Sequence, residues 1–194
     1  MVDVVLFHHV QGLTQGLRAF AAELGADDHT VHTPDLFAGE RPASIDDGLA
    51  LVRAIGGEEL ERRAGAAVAD LPRELVYAGF SWGAATAQEL AQTRAGALGA
   101  LLFDACVPVT GEWAFGPWPD GVAVQVHGMD RDPFFAGEGD IDAARALVKE
   151  SPDAELFVYP GEEHLFADSS LPSYDPVAAR LLTERTLAFL AAIR

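Results

Sequence analysis

Residues 74–91 hold the tightest constraint on what this chain can fold into. An apolar run, Glu74-Leu75-Val76-Tyr77-Ala78, leads into Gly79-Phe80-Ser81-Trp82-Gly83 and then into the helix-forming Ala84-Ala85-Thr86-Ala87-Gln88-Glu89-Leu90-Ala91. The first piece reads as a buried parallel strand and the last as a helix. A strand that turns into a helix within so few residues needs small neighbours around the turn, and Gly79 and Gly83 supply them. A serine at the apex of such an elbow is strained and exposed. The next backbone N–H, that of Trp82, is aimed where negative charge would develop on a bound carbonyl. An ordinary Gly-Ser turn is the bland alternative, and the strand–helix context argues against it.

The rest of the chain repeats the same alternation. Strands are expected over residues 2–7, 30–33, 97–104, 122–127 and 155–159. Helices are expected over 13–24, 44–63, 140–150 and 175–193, with Thr14 and Ser44 as caps and a loosening at Gly56-Gly57. Strict alternation predicts an α/β chain with a mostly parallel sheet and helices on both faces. Its 194 residues fit one domain spanning 1–194, with no internal repeat or linker.

A serine hydroxyl is a weak nucleophile near neutral pH and needs a base within hydrogen-bond reach. Of the six histidines, His164 lies in the loop Pro160-Gly161-Glu162-Glu163-His164 that leaves the last expected strand. Catalytic groups in open α/β sheets gather at such C-terminal ends. The acid that orients the base should follow the preceding strand, where Asp130 and Asp132 both qualify. Asp132 precedes Pro133, which stiffens the turn, and is the favoured candidate; Asp130 is suited instead to tying the loop. The chain order serine, acid, histidine is that of α/β-hydrolases.

Composition narrows the function further. A net charge of −17 argues against nucleic acid and anionic membranes as partners. The acidic residues are scattered, as on a solvated surface. A single cysteine, Cys106, excludes an internal disulfide and fits a reducing cytoplasm. The chain opens directly on a strand without a cleavable apolar segment, and no apolar run is long enough to span a bilayer.

The chain resembles the dienelactone hydrolase family. The resemblance rests on Phe7-His8-His9-Val10-Gln11-Gly12, Thr33-Pro34-Asp35-Leu36-Phe37, the elbow, the Asp132 loop, Tyr159-Pro160-Gly161-Glu162-Glu163-His164-Leu165-Phe166 and the tail Glu184-Arg185-Thr186-Leu187-Ala188-Phe189-Leu190. It implies an α/β-hydrolase fold of about six strands, lacking the opening hairpin and any cap domain. It also implies a triad of Ser81, Asp132 and His164, with a second oxyanion N–H from Val10 and no cofactor. Two departures bear on substrate. Family members proper carry a cysteine at the elbow and a glutamate where this chain has His9. They also hold a substrate carboxylate with arginines, one shortly after the histidine, where this chain has Asp168. An uncharged ester, thioester or lactone is therefore expected as substrate.

His8 and His9 sit at the end of the first strand; no ligand spacing there resembles a zinc site, so no metal is expected. His9 is a candidate for the pocket lining, while His8, His29 and His127 read as structural. Trp82, Trp113, Phe115 and Phe134 are the aromatic candidates for a substrate wall, with Trp118, Phe135 and Phe166 as further rings. Two other readings share these residues: an acyltransferase using the same triad, and a non-catalytic binding protein on a hydrolase scaffold.

Overall fold

The computed structural model describes residues 2–26 and 29–193. Six strands, β1 (Asp3–Phe7), β2 (Thr30–His32), β3 (Leu75–Phe80), β4 (Ala97–Phe103), β5 (Ala123–Met129) and β6 (Ala154–Tyr159), form one sheet in the order β2-β1-β3-β4-β5-β6. All five pairings are parallel.

Side chains along each central strand alternate between two cores. Val4, Leu6, Val76, Ala78, Phe80, Leu101 and Phe103 face helices α1 (Gln15–Gly25) and α6 (Pro176–Ala192). Val5, Phe7, Leu75, Tyr77, Ala100 and Leu102 face α3 (Gly57–Val68), α4 (Trp82–Thr93) and α5 (Asp140–Glu150). Period-two alternation with both faces apolar is what a sheet covered on each side demands. The helices answer with apolar stripes at helical spacing, such as Leu17, Phe20, Ala21 and Leu24 on α1.

Helix ends follow their local chemistry. Thr14 caps α1 by accepting from the Leu17 amide, and Asp175 caps α6 by accepting from Val177 and Ala178 beside Pro176. The helix expected over 44–63 is in fact two. Gly56, at φ 89°, ends α2 (Ile45–Ile55) and begins α3, because that conformation takes the chain out of the helix where only glycine sits without strain.

The connection from β1 to β2 runs to one side of β1, and that to β3 returns to the other. This reversal opens a crevice over the C-terminal ends of β1 and β3, where α/β sheets bind ligands. The segment between β4 and β5 stays short and builds no cap domain. None of the described helices is long and apolar enough to cross a membrane.

Candidate active site

Loops from five strands converge above the C-terminal edge of the sheet. Ser81 stands between β3 and α4 at φ 51° and ψ −117°, a conformation that costs a non-glycine residue free energy and persists only where its surroundings enforce it. Its amide donates to the Phe103 carbonyl at 2.7 Å. A Cβ on Gly79 would run into the Gly83 carbonyl, and one on Gly83 would meet the His8 oxygen at 2.5 Å. Glycine at both positions is thus what lets α4 start directly against β3 and β1.

The Ser81 hydroxyl donates to His164 Nε2 at 2.8 Å, and His164 Nδ1 to Asp132 Oδ2 at 2.7 Å. Asp132 is fully buried, and its other oxygen accepts from the Phe134 amide at 2.8 Å. Asp130 does not reach the histidine. Its Oδ1 takes the Gly161 amide at 3.0 Å, while Arg131 N–H donates to the Gly161 carbonyl at 2.9 Å. Those two bonds lace the loop after β5 to the loop after β6 and so hold Asp132 and His164 in mutual reach.

Burial is the largest single influence on His164 and works against its protonation. The Asp132 hydrogen bond and the negative charges of Asp104, Asp132 and Asp140 outweigh it and raise its pKa above the ordinary histidine value. A histidine so placed accepts a proton readily.

A cavity of about 260 Å³ opens onto Ser81 and His164, walled by Val10, Ile45, Leu49, Trp82 and Phe134, with Asp104, Glu138 and Asp140 supplying its charge. The Phe134 ring lies 4.6 Å from that of His164. Trp82 leans on Phe37 at 5.6 Å and also walls a second, apolar groove of about 250 Å³ between α3 and α4, which Phe115 lines. Val10 sits in the turn after β1, pinned by α2: a Cβ on Gly48 would collide with the Val10 backbone. In that turn His9 takes the amides of Gly12 and Gln11, and the Val10 amide stands outside these bonds.

Three expectations need correction. His9 does not line the cavity: its ring is fully buried, with Nε2 on Asp168 at 2.9 Å. Asp168 lies away from the cavity too, accepting from Thr14 at 2.5 Å and from Ser170 at 2.6 Å. Burial alone would raise the Asp168 pKa, but the bonds from His9, Ser170 and Thr14 together bring it down to about 2. Trp113 is 78% exposed and lines neither cavity, while Phe115 of the same loop reaches the groove between α3 and α4 and not the cavity at Ser81.

His8 and His127 are occupied, whereas the Nδ1 of His29 is buried with no partner among the described residues. Burial pushes His8 down to about 4 and His127 down to about 3, so both are neutral. His8 accepts from the Leu36 amide at 3.0 Å; His127 bonds Tyr159 at 2.9 Å. The sequence reading missed Asp104, Glu138 and Asp140. Asp104 had one visible signal, an acid ending the apolar run Leu101-Leu102-Phe103. Cys106 is buried beside them, its amide donating to Asp140 at 3.0 Å, and burial pushes its thiol up to about 12.

Strand order, elbow and cavity together place the chain among the α/β-hydrolases. Its sequence matches the dienelactone hydrolase family model over residues 2–194, and the chain belongs to that family; it is a carboxylic ester hydrolase. The fold is shared with solved structures of low sequence identity. A dienelactone hydrolase-like promiscuous phosphotriesterase from metagenomic libraries superposes with a TM-score of 0.77 at 19% identity, over 100% of this chain and 87% of that one. A thermophilic esterase of the planctomycete Thermogutta terrifontis gives 0.66 at 16% identity, over 99% of this chain and 83% of that one. No curated protein matches the chain.

Proposed function

We propose that the chain is a serine esterase that cleaves small uncharged carboxylic esters, thioesters or lactones through an acyl-enzyme. The observation that carries this reading is the unbroken hydrogen-bonded line from Ser81 through His164 to Asp132. Ser81 Oγ attacks the carbonyl while His164 Nε2 takes its proton, and Asp132 holds the imidazole tautomer and stabilises the imidazolium. The amides of Trp82, at the start of α4, and of Val10 hold the oxyanion. His164 then protonates the leaving group and activates the water that releases the acid.

No Lys or Arg is among the residues that line the cavity, whereas Glu138 and Asp140 are. That charge balance disfavours a substrate carboxylate. It replaces Asp168 as the reason to expect an uncharged substrate. The single, buried Cys106 fits a cytoplasmic address.

The test is intact mass after treatment with a fluorophosphonate, with the adduct mapped by digestion. One adduct on Ser81, lost in His164→Ala, is expected. Folded protein that takes no adduct and turns over no nitrophenyl ester would instead be a binding protein on this scaffold. An adduct with turnover only in the presence of a non-water acceptor would make it an acyltransferase.

A further inference from the structure

Of the three acids that line the cavity outside the triad, Asp104, Glu138 and Asp140, Asp104 alone is buried. Asp104 follows β4 with φ 59°, and its side chain is 1% exposed. Its amide donates to the His127 carbonyl at 2.7 Å, which seats it between the ends of β4 and β5. Neither carboxyl oxygen makes a hydrogen bond of full geometry with the described residues; the Leu165 amide is turned toward the carboxyl and favours its charge only weakly. A buried carboxyl so weakly paired, on a left-handed non-glycine backbone, works against folding twice over. Such an arrangement points to a use in the site.

Asp104 lines the same cavity as Ser81 and His164, and the charged groups around it there identify that use. Asp132 comes from the loop after β5, His164 and the Leu165 amide from the loop after β6, and Tyr159 from the end of β6. Asp140 of α5 faces His164 as well. His127, next to Asp104, is neutral. Within this set His164 is the group that becomes positive when it takes the serine proton.

We propose that Asp104 is a second carboxylate for His164, acting with Asp132 to raise the proton affinity of the base and to stabilise its imidazolium. It acts through the field between two groups set in the protein interior, where charges interact more strongly than in bulk water, and not by a hydrogen bond. Asp104 is therefore a positioning residue, one that works through His164 without touching substrate. Burial pushes its own pKa up to about 7. Its ionised form is the one that stabilises the imidazolium, so the contribution needs Asp104 already deprotonated before the serine proton moves. The inference rests on the triad reading above.

The test compares kcat and KM for p-nitrophenyl acetate from about pH 5 to pH 9 in the wild type and in Asp104→Asn, each with and without Asp132→Ala. Asparagine keeps the shape and tolerates the left-handed backbone. In Asp104→Asn the acid limb of the profile moves to lower pH, and kcat falls about tenfold with KM unchanged. In the Asp132→Ala background, where Asp104 is the remaining acid, the same change costs about a hundredfold. An acid limb that stays in place, with equal losses in both backgrounds, overturns the proposal. Should the asparagine variant not fold, Asp104→Gly takes its place under the same two criteria. Failure of the triad reading is distinguishable, since Ser81→Ala would then retain turnover whatever Asp104 does.

Discussion

Ser81→Ala is expected to lower kcat for p-nitrophenyl acetate by roughly ten-thousandfold or more, with the thermal melt unchanged. The two halves of that result have separate causes. Activity goes because the hydroxyl that donates to His164 at 2.8 Å is the atom proposed to attack the ester. Without it the cavity and the amides proposed to hold the oxyanion remain, but no acyl-enzyme forms. Stability stays because the hydroxyl faces a cavity and is not packed in the core. The strained backbone at φ 51° is enforced by the Phe103 carbonyl and by the two elbow glycines, none of which alanine disturbs. Turnover within tenfold of wild type, on protein free of contaminating esterase, would refute the assignment.

Asp168→Ala is expected to have the largest effect on folding, about 3–5 kcal/mol, read as a lower midpoint in urea and a fall in Tm of about 10 °C. Asp168 joins three separate pieces of chain: His9 after β1, Thr14 at the start of α1, and Ser170 beyond the His164 loop. Alanine leaves the His9 and Thr14 donors buried without their acceptor, and burial without a partner is the costly outcome. The pH dependence follows from the direction of the shift. Because the folded protein holds the Asp168 pKa at about 2, below the ordinary aspartate value, its contribution is complete above about pH 4. That contribution is lost as pH falls through 2. Wild-type stability should therefore drop across that window more steeply than that of Asp168→Ala. Parallel acid-denaturation curves for the two proteins would show that the cluster contributes nothing through charge.

The parts of this molecule legible in its sequence are those specified by neighbours along the chain. The elbow is legible because strand, small residues and helix follow one another over residues 74–91. The order of Ser81, Asp132 and His164 can be read because each closes its own strand. His9 was misjudged for the opposite reason: its partner Asp168 is 159 residues away, and nothing local distinguishes a buried imidazole from one facing substrate. Position after the histidine made Asp168 look like a substrate contact, whereas it turns under α1. Trp113 fell to a related ambiguity, since aromatic composition does not say which way a loop turns. The break at Gly56 was visible as a loosening but not as a helix end, because a lone glycine is tolerated inside a helix until its φ is known.

The state of Cys106 has a consequence for how such an enzyme ages. Oxidants and alkylating agents attack the thiolate, and a thiol pushed up to about 12 and almost wholly enclosed offers almost none. With an alcohol proposed as the attacking group and Cys106 enclosed, the described residues present no exposed thiol to be capped. Peroxide or iodoacetamide at doses that silence a thiol-dependent hydrolase should leave this one working.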